Sequence, residues 1–249
     1  MESDMRDPMY DATYVRALFN RMSRSYERMN IIMSFGFSSR WRVELMRLIE
    51  KPADVRDVID LMSGMGETWG QVRRRFARAT ISALDFSPEM TRHSQQKNDR
   101  QFGGAVDIRC EDVLDSTLES ASFDAVVCAY GLKTFDERQS RRLGDELVRI
   151  LRPGGRFAFI EVTLPPNPVL RRLYDLYLSI VVPLAGTLLL SDPSEYRMLY
   201  RYVRAYGRGE RTAAGFDHPM LTVTRRSHFF GCATSFSGQR VGGDAGRGG

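Results

Sequence analysis

Hydrophobic and polar positions follow two different periods along the chain, and each change of period marks an element. From residue 12 onward Val15, Leu18, Phe19, Met22 and Tyr26 recur at three- and four-residue intervals, which predicts an amphipathic helix over residues 12–30. A second helical stretch is predicted over 39–49 and stops at Lys51-Pro52. Short apolar runs follow at 56–61, 81–84, 106–109, 125–128 and 156–161, with helical patterns at 67–77, 87–97 and 137–151 among them. Ser87-Pro88 supplies a serine N-cap and a proline in the first helical turn. Strands that alternate with helices need crossover connections, hence a parallel sheet with helices on both faces. Runs at 220–225 and 229–236 predict a closing hairpin. The expected fold class is α/β: a doubly wound, mostly parallel, seven-stranded sheet of Rossmann-like type.

The turn after the first predicted strand, Asp60-Leu61-Met62-Ser63-Gly64-Met65-Gly66, carries the clearest chemistry. Two glycines one residue apart allow a tight turn and close approach of a ligand to the backbone. About twenty residues on, Asp85 closes the second strand, where a carboxylate accepts ribose hydroxyls. A dinucleotide site carries G-x-G-x-x-G, but Trp69 occupies the third glycine position here. The D-x-x-x-G-x-G arrangement instead resembles the first motif of class I S-adenosylmethionine methyltransferases. That cofactor has no pyrophosphate, and its amino-acid end needs an acceptor and donors within one turn. A strand–turn–helix that binds nothing is the alternative.

Further segments extend the resemblance to residues 15–204. The stretch Phe19-Asn20-Arg21 through Asn30 resembles the amino-terminal helix of the ubiquinone/menaquinone biosynthesis C-methyltransferase family. Ser34-Phe35-Gly36 with Trp41 resembles its Ser-x-Gly-x-x-x-x-Trp segment, and Leu151-Arg152-Pro153-Gly154-Gly155-Arg156 its L-x-P-G-G-R turn. Tyr174-Asp175, Tyr177, Pro183, Gly186, Asp192 and Tyr196 fall where that family has an insertion after the fifth strand. The resemblance implies S-adenosyl-L-methionine as cofactor and methyl transfer to carbon. It implies lid helices over 12–50 and a methyltransferase domain over 51–240 with a helical cap at about 164–206, while the low-complexity tail at 241–249 and the start at 1–11 are expected to be disordered. Asp60, Ser63, Gly64, Gly66, Asp85, Phe86, Asp112, Val113 and Cys128 are the expected cofactor-binding residues. Phe86 packs on adenine or belongs to the core; Asp112 accepts the adenine amino group or is a solvated loop acid.

Composition narrows the classes. The chain has 249 residues, 43% hydrophobic and 27% charged, ordinary for a globular protein. Its three widely spaced cysteines argue against a disulfide framework, and with a polar start they lead to the expectation of a cytoplasmic protein. The net charge of +5 comes almost wholly from arginine, and Arg73-Arg74-Arg75 with Arg78 reads as a solvated helix face rather than a nucleic-acid patch. Residues 173–190 are the most apolar stretch, but Asp175, Pro183 and Gly186 interrupt it, so a cover over an apolar cavity is expected, with at most peripheral membrane contact. No His/Cys/Asp cluster has metal-ligand spacing, and no metal is expected. A homo-oligomer is expected.

The acceptor side departs from the family. Tyr130-Gly131-Leu132-Lys133-Thr134 stands where the family has a stretch like Phe-Gly-Leu-Arg-Asn, and lysine lacks arginine's planar fork. The leading expectation is therefore C-methylation of an isoprenoid-bearing or aromatic specialised metabolite, with Tyr26, Lys133 and Tyr196 as catalytic candidates. Tyr14, Tyr174, Tyr177 and Tyr200 are further aromatic candidates for the pocket wall, and His218 and His228 are candidate bases. The alternatives are the demethylmenaquinone/ubiquinone-pathway C-methyltransferase itself, a cofactor-binding cyclase without methyl transfer, and an RNA methyltransferase.

Overall fold

In a computed structural model of the chain the described residues are 7–23, 31, 34, 36–181, 184 and 193–242. The strands are β1 (Asp57–Leu61), β2 (Thr80–Leu84), β3 (Val106–Arg109), β4 (Phe123–Ala129), β5 (Leu151–Val162), β6 (Leu221–His228) and β7 (Ala233–Arg240). They form one sheet in the order β3-β2-β1-β4-β5-β7-β6. The first five are parallel; β7 runs antiparallel to β5 and to β6. β1 pairs with β2 on one side and β4 on the other, so the crossovers leave it in opposite directions. The crevice beyond the carboxyl ends of β1 and β4 is thus the topological switch point, where such sheets bind ligands.

Helices α1 (Ala12–Met22) and α2 (Ser38–Arg47) precede the sheet. Within it come α3 (Trp69–Arg75), α4 (Pro88–Lys97) and α5 (Glu137–Ile150), and after β5 come α6 (Pro168–Leu176), α7 (Pro193–Tyr206) and α8 (Glu210–Gly215). Two apolar layers cover the sheet's faces. One packs Trp41, Trp69 and Val127 with α1 and the cap; the other packs Ile59, Leu147 and Phe159 with α5. α5 starts with a capping box in which Asp136 and Gln139 exchange bonds between side chain and backbone.

Three differences from the expected pattern have local causes. Residues 7–11 are ordered, not disordered: Asp7 and Asp11 cap successive helix starts, while Met9 and Tyr10 are buried. The final strand begins at Ala233 rather than 229 because Phe229 and Phe230, both at positive φ, form a tight turn instead. β5 begins early, at Leu151, and Gly154 at φ +78 carries an irregularity in its pairing with β4. The expected helix beyond Ser23, Tyr26 included, lies outside the described residues, as do most of 182–192 and the tail from 243.

Candidate functional site

A cavity opens at the switch point, with about 840 Å³ of space counted out to its open mouth. Its floor comes from strand ends. After β1 it meets Met62, Ser63 and Gly64; after β2, Asp85 and Phe86; after β3, Asp112 and Val113; after β4, Tyr130 and Gly131. Met62 and Tyr130 both have left-handed backbone, φ 52 and 71. Such strain in non-glycine residues concentrates at ligand sites. The two strand ends interlock: a Cβ on Gly131 would stand 2.6 Å from Met62 Sδ, so only glycine fits there. The roof is α1, which contributes Ala12, Val15 and Phe19, with Tyr10 just before it. Asn20 pins that roof: its Oδ1 accepts from Ser87 Oγ at 2.6 Å, at the N-terminus of α4.

The acids differ sharply in their surroundings. Asp85 accepts two backbone hydrogen bonds, from Gly64 N at 2.8 Å and from Ser87 N at 2.9 Å. Burial nevertheless pushes its carboxyl up to about 6. Asp60 is 1% exposed, and neither carboxylate oxygen has a hydrogen-bond partner among the described residues. Burial, reinforced by the nearby Glu67 charge, drives its proton affinity well above the usual carboxylate range. Glu67 lines the cavity, and Asp60 does not. Arg42, from α2, also lines the cavity and lies 5.2 Å from the centre of the Tyr130 ring.

Ser63, Gly64, Asp85, Phe86, Asp112 and Val113 are therefore brought together as one wall. Asp60, Gly66 and Cys128 are not in it. Gly66 is required by packing: at φ +76, a Cβ would lie 2.6 Å from the buried Trp69 ring. Cys128 is fully buried in the opposite apolar layer, below Gly131. Asp112 accepts from Leu114 N at 2.9 Å and caps the short turn after β3.

Of the catalytic candidates, Lys133 turns away from the cavity. Its Nζ pairs with Glu161 Oε1 at 3.1 Å and donates to the Tyr130 carbonyl, with the lysine and glutamate side chains 3% and 0% exposed. Tyr26 lies outside the described residues, and so does the side chain of Tyr196, which falls on α7. Tyr14, Tyr174, Tyr177 and Tyr200 do not line the cavity; among the described residues Tyr10 and Tyr130 do. The histidines are elsewhere: His228 bridges Glu44 and Ser235, and His218 is 3.9 Å from Asp145. Glu67, Arg42, Tyr10 and Gln139 are cavity residues that the sequence reading missed. Glu67 alone had a signal, as the acid directly after the second turn glycine.

Among the described residues Ser63 Oγ, at the cavity wall, has no hydrogen-bond partner, and with the Glu67 carboxylate lining the same space it suits a ligand bearing an ammonium and hydroxyls. Among the described residues no cluster of His, Cys, Asp or Glu is placed to hold a metal, and no helix is long and apolar enough to cross a membrane.

Known proteins resemble the chain along most of its length. The ubiE/COQ5 methyltransferase family model matches residues 8–239. A demethylmenaquinone methyltransferase from Clavibacter sepedonicus is 34% identical over 220 residues, covering 84% of this chain and 86% of that protein. A ubiquinone/menaquinone biosynthesis C-methyltransferase from Syntrophotalea carbinolica is 32% identical over 232 residues, covering 90% and 93%. Among solved structures, an O-methyltransferase family protein from Burkholderia thailandensis superposes with a TM-score of 0.60 at 22% identity. That match covers 95% of this chain and 63% of the longer one, and it shows the shared fold.

Proposed function

The chain belongs to the ubiE/COQ5 methyltransferase family, and from that membership we propose that it C-methylates an isoprenoid-bearing quinol of the demethylmenaquinone type. It is an S-adenosylmethionine-dependent methyltransferase. The observation that carries the acceptor reading is the family match across residues 8–239, joined to a cavity whose roof, Val15 and Phe19, is apolar. The specialised metabolite expected from Lys133-Thr134 alone becomes the second reading.

When bound, S-adenosylmethionine supplies a methyl group already activated on a sulfonium centre. The protein's task is alignment and removal of a proton. Asp85 accepts the ribose hydroxyls, in addition to its two backbone donors. Glu67 would meet the ammonium of the amino-acid end, and Ser63 and the Gly64 backbone would complete that turn. Phe86 and Val113 would enclose the adenine, and Asp112 would accept from its amino group. α1 closes over the cavity and excludes water. Arg42 and Tyr130 face the acceptor's polar head. Thr134 lines the same space, with its hydroxyl donating to the Gly131 carbonyl at 2.7 Å.

One observation favours the second reading. Lys133 replaces the family's arginine and is held by Glu161, outside the cavity wall, so it does not take over a ring-hydroxyl contact there. The test supplies the purified protein with labelled S-adenosylmethionine and either demethylmenaquinol or a panel of prenylated aromatic metabolites. Label in the quinol ring supports the proposal. Turnover confined to the panel transfers the assignment to the second reading.

A further inference from the structure

An apolar surface unused by the methyl-transfer site lies on the outside of the cap. α6 and the turn continuing it, Tyr177–Val181, have two apolar stripes. The inner stripe is core: Tyr174 and Leu178 are buried. The outer stripe, Val169, Leu173, Leu176 and Ile180, is 67%, 61%, 55% and 55% exposed. A helix that is apolar on both faces is normally covered on both.

The stripe is extended by the β6–β7 turn. Phe230 is 77% exposed and held at φ 55, and it shares a shallow depression with Pro166, Val169 and Leu173. Arg172 is exposed and, at helical spacing, lies beside the stripe next to Leu176. Arg208 and Arg225 line an adjoining hollow that also meets Pro166 and Ser227. Glu210, 3.9 Å from Arg225, offsets part of that charge. The wider charge distribution points the same way. Between residues 164 and 240 there are ten arginines and five acids, so this part of the chain carries the whole formal excess of +5.

We propose that this face docks on an anionic phospholipid surface. The outer stripe and Phe230 enter the boundary between headgroups and acyl chains, and the flanking arginines meet lipid phosphates. A second copy of the chain is the competing occupant. A two-fold contact would place the same arginines against one another, and like charges disfavour that pairing. Docking does not depend on the acceptor's identity. With an isoprenoid acceptor, it brings the enzyme to the phase in which that acceptor dissolves.

The test is flotation of the full-length protein with phosphatidylcholine vesicles, with or without phosphatidylglycerol. The expected result is capture by the phosphatidylglycerol vesicles alone, weakened by added salt. Leu173→Asp with Phe230→Asp, and separately Arg172→Glu with Arg208→Glu, should each lower the bound fraction about tenfold or more. Both pairs should keep the wild-type melting midpoint and cofactor affinity. The lipid-charge and salt comparisons use the wild-type chain, so they decide the question even where a variant misfolds. No capture by either vesicle overturns the proposal, as does equal capture by both. A concentration-dependent dimer that is dispersed by Leu173→Asp with Phe230→Asp, without vesicle capture, assigns the face to a second copy and also overturns it.

Discussion

The β1–β3 side of the cavity and the β4–β5 side handle buried polarity in opposite ways. After β1 and β2 the acids are left with capacity to spare: Asp60 has no hydrogen-bond partner among the described residues, and Asp85 accepts only backbone donors. After β4 and β5 the buried charges satisfy one another. Glu161 accepts from Lys133 Nζ and from the backbone N–H groups of Lys133 and Val162. The first side retains unmet acceptors, which is how a polar ligand is recognised; the second is closed and rigid. A buried acid without a partner costs stability, and on the β1 side Asp60, which does not line the cavity, carries that cost.

Four changes would break or sharpen that contrast. The largest effect belongs to the closed side. Lys133→Ala should destabilise the fold by about 3–5 kcal/mol, because Glu161 would be left charged and buried. Combining Lys133→Met with Glu161→Gln should return part of the loss. Urea denaturation reads both, and a loss below about 1 kcal/mol for Lys133→Ala would mean that the pair is not structural.

On the open side, Asp85→Ala should weaken S-adenosylmethionine binding by roughly 1–3 kcal/mol, the cost of charged hydrogen bonds to hydroxyls. Calorimetry that shows a change of only a few tenths would remove Asp85 from the ribose site. The same residue sets a pH dependence. Its carboxyl in the fold, at about 6, lies above the unfolded value, so its contribution to stability is fullest below pH 4 and is lost as pH rises through about 6. Binding that needs the ionised form runs the other way: affinity should fall as pH drops below 6, by up to about tenfold per unit. A flat profile between pH 5 and 7.5 would contradict a role for the Asp85 charge.

The smallest effect concerns the roof. Asn20→Ala removes the acceptor for Ser87 Oγ, a loss of about 1 kcal/mol. It should raise the acceptor KM more than the cofactor Kd. Equal changes in both would show that α1 does not act as a lid for the acceptor.

The mostly parallel character of the sheet and the wall running from Ser63 through Asp85 to Val113 were legible in the sequence, because each rests on local periodicity or short spacing. The strand-end rule of doubly wound sheets places such residues in one crevice whatever their other contacts. What stayed hidden depends on long-range packing. Gly66 carries a clear signal in sequence, yet its φ of +76 serves the Trp69 ring rather than the cavity. Lys133 reads as a pocket residue until Glu161, 28 positions later, captures it. Arg42 stands beside the Trp41 of a family-like segment and Tyr10 in a stretch with no motif, and neither signal points to the cavity, which they enter because their segments fold back over the sheet. Periodicity decides which face of a strand or helix is apolar; it does not decide which distant side chain meets a buried charge. That choice is made by tertiary structure, since the cost of an unpaired ion arises only once water has been excluded around it.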